Sequence, residues 1–238
     1  MDEPALVSLT FDDGLRCQFE RAVPILDRHG FPATFFLTAN KEPVHESWRG
    51  PATKGWWKID WRDENISKLK TMILGGHEVG SHSVTHHAAT MQQNPDGEAR
   101  KSKELIECWL EPTVVSSFAY PYYHSHSYLA SAVRNAGYEQ ARGGLQASHY
   151  TVPDDASLDR FNIDCRQITT NENVGGWLRA GCWHVLTFHG IGSEKDGWAA
   201  ITVEQFATQM AELAELRASG AVEVVTFKDG AARFRRPR

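Results

Sequence analysis

Residues Ala5–Phe11 (ALVSLTF) form a short, almost continuous apolar run, which predicts a buried strand. Phe19–His29 carries apolar residues at helical spacing and is closed by Gly30. Pro32–Thr38 (PATFFLT) predicts a second strand, and Asn40–Trp61 a long loop rich in tryptophan. Arg62–Leu74 has helical periodicity and stops at Gly75-Gly76, after which His77–Ser81 returns to strand. Downstream, Glu98–Leu110 and His126–Ala136 read as helices, and Val114–Ala119, Tyr138–Ala141 and Arg160–Ile163 as extended. Glu172–Ala180 reads as helical around a weak Gly-Gly interior. Val185–Phe188 is a strand, Val203–Ser219 an amphipathic helix and Val222–Phe227 a closing strand. Strands therefore alternate with helices from end to end, which favours α/β with a parallel sheet. Seven or eight strands, no linker and no GxGxxG favour a barrel in a single domain spanning 1–238 over a dinucleotide-binding sheet.

Composition narrows the function. A hydrophobic share of 41% and a charged share of 23% are globular values. A net charge of −5 without long blocks argues against a nucleic-acid partner. No apolar run approaches membrane-spanning length, and the N-terminus shows no signal-like segment. Cys17, Cys108, Cys165 and Cys182 are scattered, and their spacing demands no disulfide.

In a barrel of this kind, catalytic residues sit at the carboxyl ends of strands. Polar residues gather at five such ends. Asp12-Asp13-Gly14 follows the first strand, and Gly14 permits a turn sharp enough to bring both acids to one cavity. Alone, such a tripeptide is more often a solvated turn. GSHSVTHH (80–87) supplies His82 and His86, which share a face if they lie on a helical turn. With Asp13 they would complete a two-histidine, one-carboxylate set with coordination positions left open, suited to one divalent metal. Zinc suits that set best, and cobalt, nickel or iron also fit. FAYPYYHSHSY (118–128), LDRFNID (158–164) and VLTFHGIG (185–192) are the other three ends.

Four of these segments resemble the polysaccharide deacetylase family, carbohydrate esterase family 4. They are TFDDG (10–14), HSVTH (82–86), FAYPY (118–122) and FHG (188–190), in the family's order across nearly the whole chain. The resemblance implies a distorted (β/α) barrel of about seven parallel strands and a metal-dependent hydrolase acting on acetylated carbohydrate. It further implies Asp12 as general base and Asp13, His82 and His86 as metal ligands. The Tyr122 backbone amide would face the oxyanion, and His189 would be the general acid. The chemistry is coherent, because a divalent ion such as zinc lowers the pKa of its water to about 7, within reach of a carboxylate base. Protonated His189 calls for a nearby carboxylate, with Asp159 and Asp164 as candidates.

The chain also departs from the family pattern. The third motif often carries an arginine that orients the base carboxylate, where this chain has Ala119; Arg160 is the expected stand-in. Thr187 stands where leucine is frequent, so Leu186 or Trp198 would line the acetyl pocket. Aromatic faces suit sugar rings, which makes Trp57, from the cluster Trp48, Trp56, Trp57 and Trp61, and Tyr120 further substrate-binding candidates. The resemblance favours removal of N-acetyl groups from an amino-sugar polymer or oligomer. An O-acetyl xylan-type esterase, an amide hydrolase on a small nitrogen compound and an inactive carbohydrate-binding relative are the alternatives. It also suggests work outside the cytoplasm, on secreted or envelope glycan.

Overall fold

The computed structural model describes residues 3–40, 58–59, 61–144, 150–151, 159–169 and 173–233. The first strand, β1 (Ala5–Phe11), is buried along its whole length, and its alternation sets up both faces of the sheet. Ala5, Val7, Leu9 and Phe11 belong to the main apolar core beneath the helices. Leu6 belongs to a second, smaller cluster. Ser8 and Thr10, of Leu6 parity, are buried with hydrogen bonds to the Thr226 and Leu186 carbonyls. One face is thus apolar throughout, and the other lines a partly polar interior.

Around β1, the strands β2 (Thr34–Leu37), β3 (Glu78–Ser81), β4 (Ser117–Ala119) and β5 (Gln140–Arg142) follow in parallel on one side. On the other side β8 (Cys182–Phe188) pairs in parallel with β1, and the two-residue β7 (Arg166–Gln167) with β8. A bridge from Arg142 to Ile163, just ahead of β7, carries the ring from β5 round towards β8. These seven parallel strands form the expected distorted barrel. A short β6 (Tyr150–Thr151) lies antiparallel on β8, and β9 (Val222–Val224) lies parallel beside the start of β1.

Helices cover the outer face. The last long one, α6 (Val203–Ala218), begins with a reciprocal cap in which Thr202 and Gln205 satisfy each other's backbone N–H. It presents Phe206 to the rings of Phe11 and Phe188, at 5.9 and 5.3 Å between centroids.

The sequence expectations fail in four places. Within 173–180 only a single turn forms, at Gly175–Trp177, because two adjacent glycines make a helix interior too costly. Residues Arg160–Ile163 make a turn that ends in one bridged residue. The helix expected from Glu98 starts earlier, at Pro95, with the Asn94 side chain accepting from Gly97 N–H as its cap. The closing strand stops at Val224, and Phe227–Arg233 is helical instead. Thr226 explains this, since its hydroxyl caps Asp229 N–H at 3.3 Å. The start of this last helix seals the amino end of the barrel: Phe227 N–H donates to Thr34 Oγ1 and Lys228 N–H to Glu78 Oε2, at 2.8 and 3.0 Å.

Candidate active site

The opposite, carboxyl end of the barrel is open. Asp12 continues the inward parity of Leu6, Ser8 and Thr10, so its carboxylate points where theirs do. Asp13 and Gly14 both take left-handed backbone, φ 74° and 68°, and this turn brings the second acid to the same cavity. A side chain at Gly14 would press on Leu37, with its Cβ 3.0 Å from Cδ2. Gln18 fixes the turn: its amide donates to the carbonyls of Asp12 and His189, at 2.7 and 3.0 Å, while its oxygen accepts from Leu15 N–H. The ends of β1 and β8 are thereby stapled together.

His82 and His86 converge, but on a loop instead of a helical turn. Ser83 and His86 have φ of 68° and 56°, both left-handed. The loop is held by buried Glu98, whose carboxylate accepts Val84 N–H and Thr85 N–H at 2.9 Å each, and by Ser83 Oγ, which accepts His86 N–H at 2.9 Å. His87 turns away, capping the short helix Ala88–Gln93.

Asp12, Asp13, His82, His86, Tyr122, Tyr123, His189 and Trp198 line one cavity of about 430 Å³. Within it, Asp13 Oδ1 lies 3.9 Å from His82 Nε2 and 3.5 Å from His86 Nε2. One ion with ligands at about 2.0–2.2 Å spans such separations. His82 Nδ1 donates to the Ala119 carbonyl at 2.8 Å, which turns the Nε2 lone pair inward. Burial drives His82 down to about 3 despite the opposing pull of Asp13, so the imidazole is neutral and able to coordinate. Burial raises the Asp13 carboxyl, but Lys58, His86 and His82 outweigh it and hold it below the usual carboxylate range. Its buried Oδ1 has no hydrogen-bond donor among the described residues. The donor set, its protonation and its undonated oxygen all fit a divalent metal.

Asp12 is held from the other side of the barrel. Arg142, fully buried, donates from Nη2 to Asp12 Oδ2 at 2.5 Å and from Nη1 to Thr187 Oγ1 at 3.1 Å. Its guanidinium also lies 4.9 Å from the centroid of the Tyr123 ring. Asp12 Oδ1 has no donor among the described residues. His189 Nε2 lies 3.6 Å from the Arg142-bound oxygen. Burial lowers the His189 pKa, and the nearby charges of Asp12 and Asp13 oppose that without reversing it.

Several expected residues lie elsewhere. Arg160 does not reach Asp12: its guanidinium donates to the Ala231 and Glu139 carbonyls and to Gln140 Oε1. The arginine that does is Arg142, which sits in register beside Ala119 on the next strand. Leu186 faces the helix-side core, because on β8 the inward parity belongs to Trp183, Val185 and Thr187. Tyr120 is fully buried against Phe118 and does not line the cavity. Asp159 is an outer residue paired with Arg134, and Asp164 lies between Ile163 and Cys165, both of which face inward. Trp61 packs on Trp109 with its indole N–H on the Thr38 carbonyl. Trp57, Trp48 and Trp56 lie outside the described residues. Trp198 does border the cavity, edge-on to His189 at 5.0 Å. Tyr122 borders it too, its hydroxyl donating to the His86 carbonyl. All four cysteines are free.

The sequence profile of a family described as polysaccharide deacetylase matches residues 2–141. No curated protein matches the sequence. Among solved structures, the Xyl-CE4 domain of a multidomain xylanase from the hindgut metagenome of Trinervitermes trinervoides is 18% identical with a TM-score of 0.61, over 97% of this chain and 91% of that one. A family 4 acetyl xylan esterase from Clostridium thermocellum, solved with a cobalt ion, is 20% identical with a TM-score of 0.58, over 95% and 90%. The peptidoglycan deacetylase PdaC from Bacillus subtilis is 14% identical with a TM-score of 0.57, over 97% and 91%. At these identities the likeness is one of fold. Among the described residues, no helix is long and apolar enough to cross a membrane.

Proposed function

Because the chain belongs to the polysaccharide deacetylase family, we propose that it is a metal-dependent hydrolase removing N-acetyl groups from an amino-sugar polysaccharide or oligosaccharide, with release of acetate. The observation that carries this reading is the meeting of Asp13, His82 and His86 beside Asp12 and His189 in one cavity. Asp13 Oδ1, His82 Nε2 and His86 Nε2 would hold a divalent ion, zinc or else cobalt, nickel or iron. Such an ion supplies Lewis acidity towards the acetyl carbonyl and makes a water acidic at neutral pH.

The chain's own residues do the rest. Arg142 ties down Asp12 Oδ2, which leaves Oδ1 as the oxygen presented to the attacking water, and Asp12 takes that water's proton. His189 is buried and neutral at rest, so the proton it delivers to the departing nitrogen is one it first receives. Asp12, which has just taken the water's proton and whose carboxyl group reaches within 3.6 Å of His189 Nε2 through Oδ2, is the acid placed to supply it, returning to carboxylate as it does. The Tyr122 backbone amide would steady the developing oxyanion. Tyr122 and Trp198 offer aromatic walls for the sugar ring. The substrate would be an acetylated glycan of the envelope or the exterior.

The test is acetate release from acetylated chitooligosaccharide and from acetylated xylan, beside ring-opening hydrolysis of allantoin as the small nitrogen compound. Each is assayed after metal reconstitution, for the wild type and for Asp12→Asn. The expected result is turnover of the chitooligosaccharide, with kcat lowered about 10²- to 10⁴-fold in the variant and bound metal unchanged. Equal activity in both proteins would remove Asp12 from the mechanism, and turnover of xylan alone would make the enzyme an O-acetyl esterase.

A further inference from the structure

We propose that Lys58 is the resident counter-ion of the metal site: it neutralises Asp13 before an ion arrives and, by repulsion, limits how tightly the ion is held. The inference rests on the divalent-ion reading above.

Lys58 Nζ lies 3.6 Å from Asp13 Oδ1, the same oxygen that both imidazoles face. The lysine side chain is 15% exposed and the aspartate 5%, so water screens this contact far less than it would a surface pair. The lysine is also anchored. Its backbone bridges to Leu15 in antiparallel fashion, and the next residue, Ile59, donates its N–H to the Gly14 carbonyl at 2.9 Å. The ammonium can therefore swing on its four-carbon stem while its Cα stays beside the turn that carries Asp13.

Charge accounting explains why it is there. Among the described residues, the charged groups in or next to the cavity wall are Asp12, Asp13, Arg142 and Lys58, with His82, His86 and His189 as titratable neighbours. Arg142 is committed to Asp12 at 2.5 Å, and an imidazole in the form that coordinates a metal carries no charge. Among the described residues, Asp13 would thus be a buried charge without a permanent counter-charge were it not for Lys58, an arrangement that is strongly unfavourable in proteins generally. A divalent ion at Asp13 brings two further positive charges to an oxygen that already has its cation. The ion must bind against the ammonium or displace it.

The experiment measures affinity for Zn²⁺ alone, by competition with a chromophoric chelator at neutral pH. It compares the wild type, Lys58→Met, Lys58→Gln and Lys58→Arg, with melting temperature as the control for folding. Both uncharged variants should bind zinc at least about tenfold tighter, since even a screened repulsion at this range exceeds that factor, whereas Lys58→Arg should stay near the wild type. In parallel, amine-directed acetylation followed by mass spectrometry should label Lys58 faster in zinc-loaded wild type than in apo protein. Equal or weaker binding by Lys58→Met and Lys58→Gln overturns the inference while leaving the metal reading intact. Absence of zinc binding in every variant, wild type included, overturns both. Unchanged labelling on loading overturns the displacement of the ammonium.

Discussion

The two ends of the barrel each bury a carboxylic acid, and they treat it in opposite ways. At the amino end Glu78 accepts from the Thr34 and Ser117 hydroxyls and from Lys228 N–H. Burial still pushes its pKa up, because neutral donors do not repay the loss of water around a charge. At the carboxyl end Asp13 is as deeply enclosed, yet nearby positive charge, that of Lys58 foremost, holds its pKa down. Hydroxyls and amides make a carboxyl part of the scaffold, with both of its oxygens engaged. Cations keep it charged, and its undonated oxygen is left over for a ligand. The difference separates structure from chemistry within a single sheet.

The comparison can be broken most decisively at the open end. Asp13→Asn keeps the shape and removes the charge; it should abolish stoichiometric divalent metal, read by elemental analysis, and reduce acetate release about 10³-fold or more, towards background. Arg142→Ala should come next, lowering kcat about 10²-fold with metal content and KM nearly unchanged, because Asp12 loses the group that orients it. Steady-state kinetics beside metal analysis would separate this from a fold defect, and Lys at 142 should recover only part of the loss, having one point charge in place of a fork.

The smallest effect belongs to the closed end. A carboxyl whose folded pKa is raised favours the fold below its ordinary value of 4.5, and that contribution disappears as pH rises through the raised value. Thermal melts of the wild type and Glu78→Gln should therefore nearly coincide near pH 4 and separate towards neutral pH, with the variant the more stable. Parallel curves across that range would show that Glu78 costs nothing when charged.

Much of this was legible in the chain. The strand and helix order, the barrel, and the company kept by Asp12, Asp13, His82, His86 and His189 all follow from apolar runs and from polar residues at strand ends. The parity of β1 carried further information: Leu6, Ser8, Thr10 and Asp12 share one face, and the same alternation on β8 selects Thr187 and excludes Leu186. What could not be read was anything set by neighbours across the sheet. Arg142 lies one residue past the strand expected over Tyr138–Ala141, and only the closure of the ring through Ile163 brings it opposite Asp12. The Gln18 and Lys58 side chains reach the site from segments that carry no strand or helix period, and such segments leave little signal. The spacing of His82 and His86 permits a helical turn, whereas left-handed residues in a loop achieve the same convergence.

Ala119 and Arg142 stand side by side on adjacent strands, pointing into the same space at the same height. A job inside a barrel is therefore open to whichever neighbour can reach, and the incumbent may be vacated when the next stave supplies the side chain. Inventories of motif letters taken along one strand would overlook a guanidinium that reaches Asp12 from the strand beside it.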